Sequence, residues 1–165
     1  MNDLDQIDFE IIAALRNNAR IANKELAEQI GLAPSSCLER VRYLRAKGYV
    51  KGAHVELDLT ALGLGLQAMV AIRLNQHSRK ELETFQAHLL ELPEVLTVYH
   101  LSGANDFMVH IAVQNAATLR NFVLDSFAER PEVAHIETAV IYEEVKNWRL
   151  PQSGTQGPLA KTAEI

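Results

Sequence analysis

Apolar positions along this chain follow two different periods. Over the first 50 residues the period is helical: Leu4, Ile7, Ile11 and Leu15 fall at i, i+3, i+7 and i+11 and predict one amphipathic helix. In "NKELAEQIG" a second stripe is formed by Leu26, Ala27 and Ile30, with Asn23 placed to cap the start and Gly31 suited to a left-handed stop. Residues 31–33 break the pattern, Pro34 takes a first-turn position, and "SSCLERVRYLRAKG" resumes it. Two short helices joined by a tight Gly-containing turn form the helix-turn-helix pattern.

From Tyr49 the period changes to two. Val55, Leu57 and Leu59 alternate with His54, Glu56 and Asp58, which predicts a half-buried strand that serves as a wing or as the connector out of the first domain. "LTALGLGLQ", with two glycines, marks the boundary. Beyond it, strands are predicted at 68–74, 95–101, 107–113 and 134–145. Helices are predicted at about 78–91 (Leu82, Phe85, Leu89, Leu92) and 115–129 (Leu119, Phe122, Val123, Phe127). The order βαββαβ is the ferredoxin-like plan, with two helices on one face of an antiparallel sheet. The last strand is apolar on both sides, Ile136, Val140 and Tyr142 against Ala139, Ile141 and Val145, so its second face is expected to be covered by another subunit. The fold class is therefore α+β. Expected domains are residues 1–52 (winged helix-turn-helix), 53–65 (hinge strand or linker), 66–148 (βαββαβ) and 149–165 (flexible tail).

Charge sharpens the first domain. Net charge is −5, yet residues 1–55 carry eight Lys/Arg against seven Asp/Glu, and five of those bases lie between Glu39 and Lys51 with no further acid among them. A local basic patch, and not the average, is the footprint of nucleic-acid binding. On a helical wheel Cys37, Leu38, Val41 and Leu44 share one side, and Ser36, Arg40, Tyr43 and Lys47 share the other, flanked by Ser35, Glu39 and Arg42. Hydroxyls near a helix start reach base edges or phosphates, Arg40 can pair with guanine or phosphate, and Lys47 and Lys51 can hold the backbone. Arg45 lies nearer the apolar side and is given no DNA role. The competing reading of such a face is an ordinary solvated surface; the turn before it and the one-sided charge favour double-stranded DNA. No run of 18 apolar residues is present and "MNDLDQID" is acidic, so a cytoplasmic protein without a membrane partner is expected. The single cysteine, Cys37, leaves no internal disulfide and reads as a packing residue.

"LDQIDFEIIAALRNNARIANKELAEQIGLAPSSCLERVRYLRAKGYVKGAHVELD" resembles the N-terminal winged helix-turn-helix of the leucine-responsive/asparagine-responsive (Lrp/AsnC, feast/famine) regulators. The marks are "LDxID", "NNAR", "ELAEQIGLAPS" and "CLERVRYLRAKGYVKG", and the βαββαβ half resembles the amino-acid-sensing domain of the same family, so the resemblance spans about residues 4–148. It implies a transcriptional regulator that assembles as dimers and commonly octamers, and whose DNA binding responds to a small effector, with an amino acid expected.

"SGANDF", residues 102–107, separates two of the predicted strands. Gly, Asn and Asp are turn formers, and a plain turn is one reading. A catalytic role is disfavoured: Asp106 has no evident partner acid, base or nucleophile, and His100 and His110 form no ligand-type spacing, so neither an enzyme nor a metal or other cofactor is expected. All six histidines read as core or strand-edge residues. The third reading is ligand capture, in which backbone N–H groups at Gly103, Ala104 and Asn105 hold a carboxylate and Asp106 holds an ammonium. The resemblance implicates Ser102, Gly103, Asn105 and Asp106, and more weakly Thr138 and Ala139 of the final strand. Two rival functions fit the same pattern less well: an amino-acid-binding regulatory subunit of a metabolic enzyme, and a ligand-independent architectural DNA binder.

Overall fold

A computed structural model describes residues 4–147. The chain forms two compact units, described separately below; the second spans residues 56–145.

In the first unit, α1 (Gln6–Asn17) starts at a reciprocal cap: Asp5 accepts from the Asp8 N–H at 2.9 Å, and Asp8 accepts from the Asp5 N–H at 3.1 Å. α2 (Asn23–Ile30) starts without a side-chain cap. Ala22 takes the extended cap conformation, and Asn23, expected there, is the first helical residue. Its Nδ2 instead donates to the Pro34 carbonyl at 2.8 Å and ties the start of α2 to the start of the next helix. Gly31, at φ 75°, ends α2 in the left-handed region, where its N–H and that of Leu32 return to Glu28 and Ala27. α3 (Pro34–Ala46) then begins with Pro34 in the first turn. Ile11, Leu26, Ala27, Cys37, Val41 and Leu44 make the core. Leu38, expected on the buried side, is 37% exposed. It stands roughly 100° from Cys37 and 60° from Val41 around the helix, at the margin of the stripe.

The strand expected at 53–59 does not form. Val55 and Leu57 are 70% and 60% exposed, and among the described residues no strand pairs with this segment. Alternation records which side chains would share a face, but a strand also needs a neighbour to bond with. Residues 58–64 close a turn instead, with Asp58 accepting from the Ala61 and Leu62 N–H groups.

The second unit is a four-stranded antiparallel sheet, order β2-β3-β1-β4. Its strands are β1 (Leu66–Leu74), β2 (Val95–His100), β3 (Phe107–Val113) and β4 (Val133–Ile141). α4 (Arg79–Glu91), capped by Ser78, and α5 (Ala116–Val123), capped by Asn115, supply Phe85, Leu89, Leu119 and Phe122 to one core with Val70, Ile72, Val109 and Ile111 of the sheet. The helix expected to run unbroken to 129 changes at Val123 into a π-helical turn, Leu124–Ala128. Five α-helical residues would carry Phe127 about 140° around from Phe122. The wider turn returns it to the core, fully buried and edge-on to Phe122 with centroids 5.2 Å apart.

β4 ends at Ile141, short of the expected 145, because its pairing with β1 ends at Gln67↔Ile141; Tyr142 and Val145 beyond it are 99% and 82% exposed. By strand alternation the sheet face away from the core carries Met69, Ala71, Tyr99, Met108, Ala139 and Ile141. On that face Tyr99 and Ala139 are exposed and Met69, Met108 and Ile141 half-buried, whereas Ala71 is buried; Phe85, Leu89, Leu119 and Phe122 of the helices pack on the other face.

Candidate functional site

α3 exposes Ser35, Ser36, Glu39, Arg42, Tyr43 and Lys47 on the side opposite Cys37, Val41 and Leu44, and Lys51 follows, also exposed. The Lys47 ammonium lies 5.9 Å from the Tyr43 ring centroid, one turn back along the helix. Two hydroxyls at the helix start, the Glu39 carboxylate, an aromatic ring and two cations, Arg42 and Lys47, are thus presented to one side. Arg45 is exposed too, and with Leu15, Val50 and Lys51 lines a cleft of about 350 Å³.

Arg40 departs from that face. Its Nη1 donates to Asp5 Oδ2 and to Asp8 Oδ1, each at 2.8 Å. The Asp8 N–H above all, then the Arg40 guanidinium, hold the Asp5 carboxyl below its usual range against an opposing desolvation, and the two carboxylates raise Arg40 in turn. Burial raises the Cys37 thiol, as suits a packing residue. The spacing Asp5-x-x-Asp8 ahead of an apolar stripe is the sequence signal of the reciprocal cap. Nothing local signals its third member, which lies 32 residues on from Asp8.

In the second unit the loop after β2 places Ser102, Gly103 and Ala104 in solvent and Asn105 half-buried. Gly103 sits at φ 139°, which a side chain would strain. Asp106 is 8% exposed and is held from both sides: its N–H donates to Ile72, and its carbonyl accepts from Leu101. Of its carboxylate oxygens, Oδ2 accepts from the Leu74 N–H at 2.8 Å, and Oδ1 lies 3.2 Å from His77 Nε2. Thr138 and Ala139 are exposed on β4, registered with Val70 and Met69. That is four or five residues back from Leu74, roughly 13 Å or more along the strand. One protomer therefore does not bring them to the loop.

His77 is not marked by the sequence as a partner of Asp106, because a loop histidine carries no periodicity. Nor do His54 and His77 sit in a core or on a strand, as expected of all six; both lie in connections. His110 meets Gln67 at 2.9 Å, and His100 stacks on Phe107 with centroids 5.1 Å apart. Among the described residues no group of three or more His, Cys, Asp or Glu is placed to hold a metal, and no helix is long and apolar enough to cross a membrane. The expected tail, 149–165, lies outside the described residues.

Comparison with known proteins bears on both units. Residues 4–51 match the winged helix-turn-helix DNA-binding family, and residues 67–150 match the Lrp/AsnC ligand binding domain. The HTH-type transcriptional regulator AldR of Mycolicibacterium smegmatis is 41% identical over 144 residues, 87% of this chain and 84% of its own. The leucine-responsive regulatory protein of Escherichia coli is 33% identical over 144 residues, 87% and 88% of the two chains. A transcriptional regulator of Neisseria meningitidis, solved as a complex with L-Met, superposes with a TM-score of 0.80 at 30% identity over 87% of this chain and 93% of that one. Having a DNA-binding helix-turn-helix followed by a ligand-binding domain, this chain is an effector-responsive transcriptional regulator and belongs to the Lrp/AsnC family.

Proposed function

We propose that the exposed face of α3 enters a major groove of duplex DNA. Ser35, Ser36, Glu39, Arg42 and Tyr43 face bases and phosphates there, and Lys47 and Lys51 hold the backbone. The observation that carries this reading is the division of one helix into a buried apolar stripe and a polar face that carries Arg42 and Lys47. The working parts are residues 1–52 for DNA, 53–65 as hinge, 66–148 for sensing and assembly, and 149–165 as tail.

The effector is an amino acid. Backbone N–H groups of Gly103, Ala104 and Asn105, beside Ser102, hold its carboxylate, and Asp106 Oδ1 takes its ammonium in place of the exposed His77. The L-Met complex of the Neisseria relative supports this ligand class. Thr138 and Ala139 complete the site from another protomer. A second copy covers the open sheet face, and dimers associate further to an octamer of four dimers. The effector changes how dimers associate and so the spacing of recognition helices, a coupling between two sites. The chain catalyses no reaction and works in the cytoplasm.

Equilibrium dialysis of the protein against each of the twenty amino acids, followed by sedimentation with and without any that bind, tests the sensing half. At least one amino acid is expected to bind and to shift the distribution of assemblies. Failure of all twenty to bind overturns the amino-acid assignment.

A further inference from the structure

Asp5 and Asp8 each use one carboxylate oxygen to cap the backbone of α1, and the other two oxygens converge on a single nitrogen of Arg40. Asp8 is 4% exposed, so its charge is compensated inside the protein and not by water. From this geometry we infer that Arg40 is a positioning residue of the recognition helix and not a DNA contact. Asp5 and Asp8 are accordingly required for recognition, although their charge repels DNA.

The apolar stripe of α3 decides which face is buried, and Asn23 anchors its first residue, but burial of Cys37, Val41 and Leu44 is non-directional and sets the roll only coarsely. Charge-assisted hydrogen bonds to carboxylates that are themselves fixed by a backbone cap are directional. Arg40 lies midway along α3, so this clamp sets the angle at which Ser36, Tyr43 and Lys47 meet a groove. A phosphate that captured Arg40 would strip the counter-charge from the buried Asp8. That loss outweighs one contact to a solvated phosphate, so the clamp stays closed on DNA.

The test uses the full chain, a duplex that it selects from a random-sequence pool, and an unrelated duplex of equal length, with affinities read by fluorescence anisotropy over a range of salt. Asp8→Asn and Arg40→Gln are each expected to weaken the selected duplex roughly tenfold, in the range of couplings between sites. The double variant is expected to be no weaker than the worse single one, since all three groups act as one unit. Affinity for the unrelated duplex and the slope of log K against log salt stay unchanged. Asp8→Asn binding as tightly as the parent, or more tightly, overturns the inference. So does a slope lowered by about one in Arg40→Gln, the mark of a phosphate contact. All assays run well below each variant's melting midpoint, and a melting loss without loss of discrimination also overturns it. Should Asp8→Asn not fold, Asp5→Ser keeps the cap acceptor and deletes one carboxylate; weaker selected binding supports the clamp, and unchanged binding overturns it.

Discussion

The carboxylate of Asp106 accepts a hydrogen bond at 2.8 Å from the backbone N–H of Leu74, a residue 32 positions earlier. The ladder of β1 with β3 ends at Ile72↔Phe107, and beyond it the Asp106 side chain supplies the acceptor that a further β3 residue would offer. Asp106→Ala leaves a buried N–H unpaired and should cost about 1–3 kcal/mol in urea unfolding. Asp106→Asn keeps an acceptor and should lose less. Equal stability of Asp106→Ala and the parent would show that the bond contributes nothing.

Lys47 and Lys51 are the cations assigned to the DNA backbone. Each truncation to alanine should lower the salt slope of binding by about one and weaken all sequences alike. A changed preference among sequences, with the slope intact, would place that lysine at a base edge instead.

Acid stability should report on Asp5. Its carboxyl lies below the ordinary 3.8 in the folded state, chiefly through the Asp8 N–H and then through Arg40, with desolvation opposing. A depressed folded value gives stabilisation that is complete above the unfolded value and is lost as pH falls through the folded one. Asp5→Asn should therefore flatten the loss of stability below about pH 4 and leave the dependence above about pH 5 unchanged. Urea midpoints measured from pH 2.5 to 6 would refute this if the two acid limbs ran parallel.

Self-association should depend on the open sheet face. Met69 lies at its middle, between His110 and Ala139. Met69→Glu would bury an unpaired carboxylate under a second copy and should weaken the dimer roughly a hundredfold. Sedimentation velocity that still showed the parent assembly at the same concentration would move the interface elsewhere.

Much of this fold was legible because it is local. Gly31 and Pro34 mark a turn by their own backbone preferences, and the stripe from Phe85 to Leu89 announces a helix that buries both. What depended on a distant partner was not legible. Val55 and Leu57 alternate correctly, yet no strand in the described chain lies beside them. Asn23 has the chemistry of a cap, but Pro34 offers it a carbonyl across the turn. In the candidate sites the residue types were readable and their pairings were not: Arg40 to Asp8 and Asp106 to Leu74 each span 32 residues, beyond the reach of any period.

The strand order β2-β3-β1-β4 also sets a timetable. β1 occupies the interior of the sheet but is the first of the four to leave the ribosome, and both of its neighbours, β3 and β4, come later. Until Val133–Ile141 emerges, one flank of this apolar strand is an open row of N–H and C=O groups, a template for pairing with another nascent chain. α1, α2 and α3 are all made before β1. The first unit also waits for the end of synthesis in one respect, because the Asn147 carbonyl that accepts from Arg16 in α1 is made only after β4.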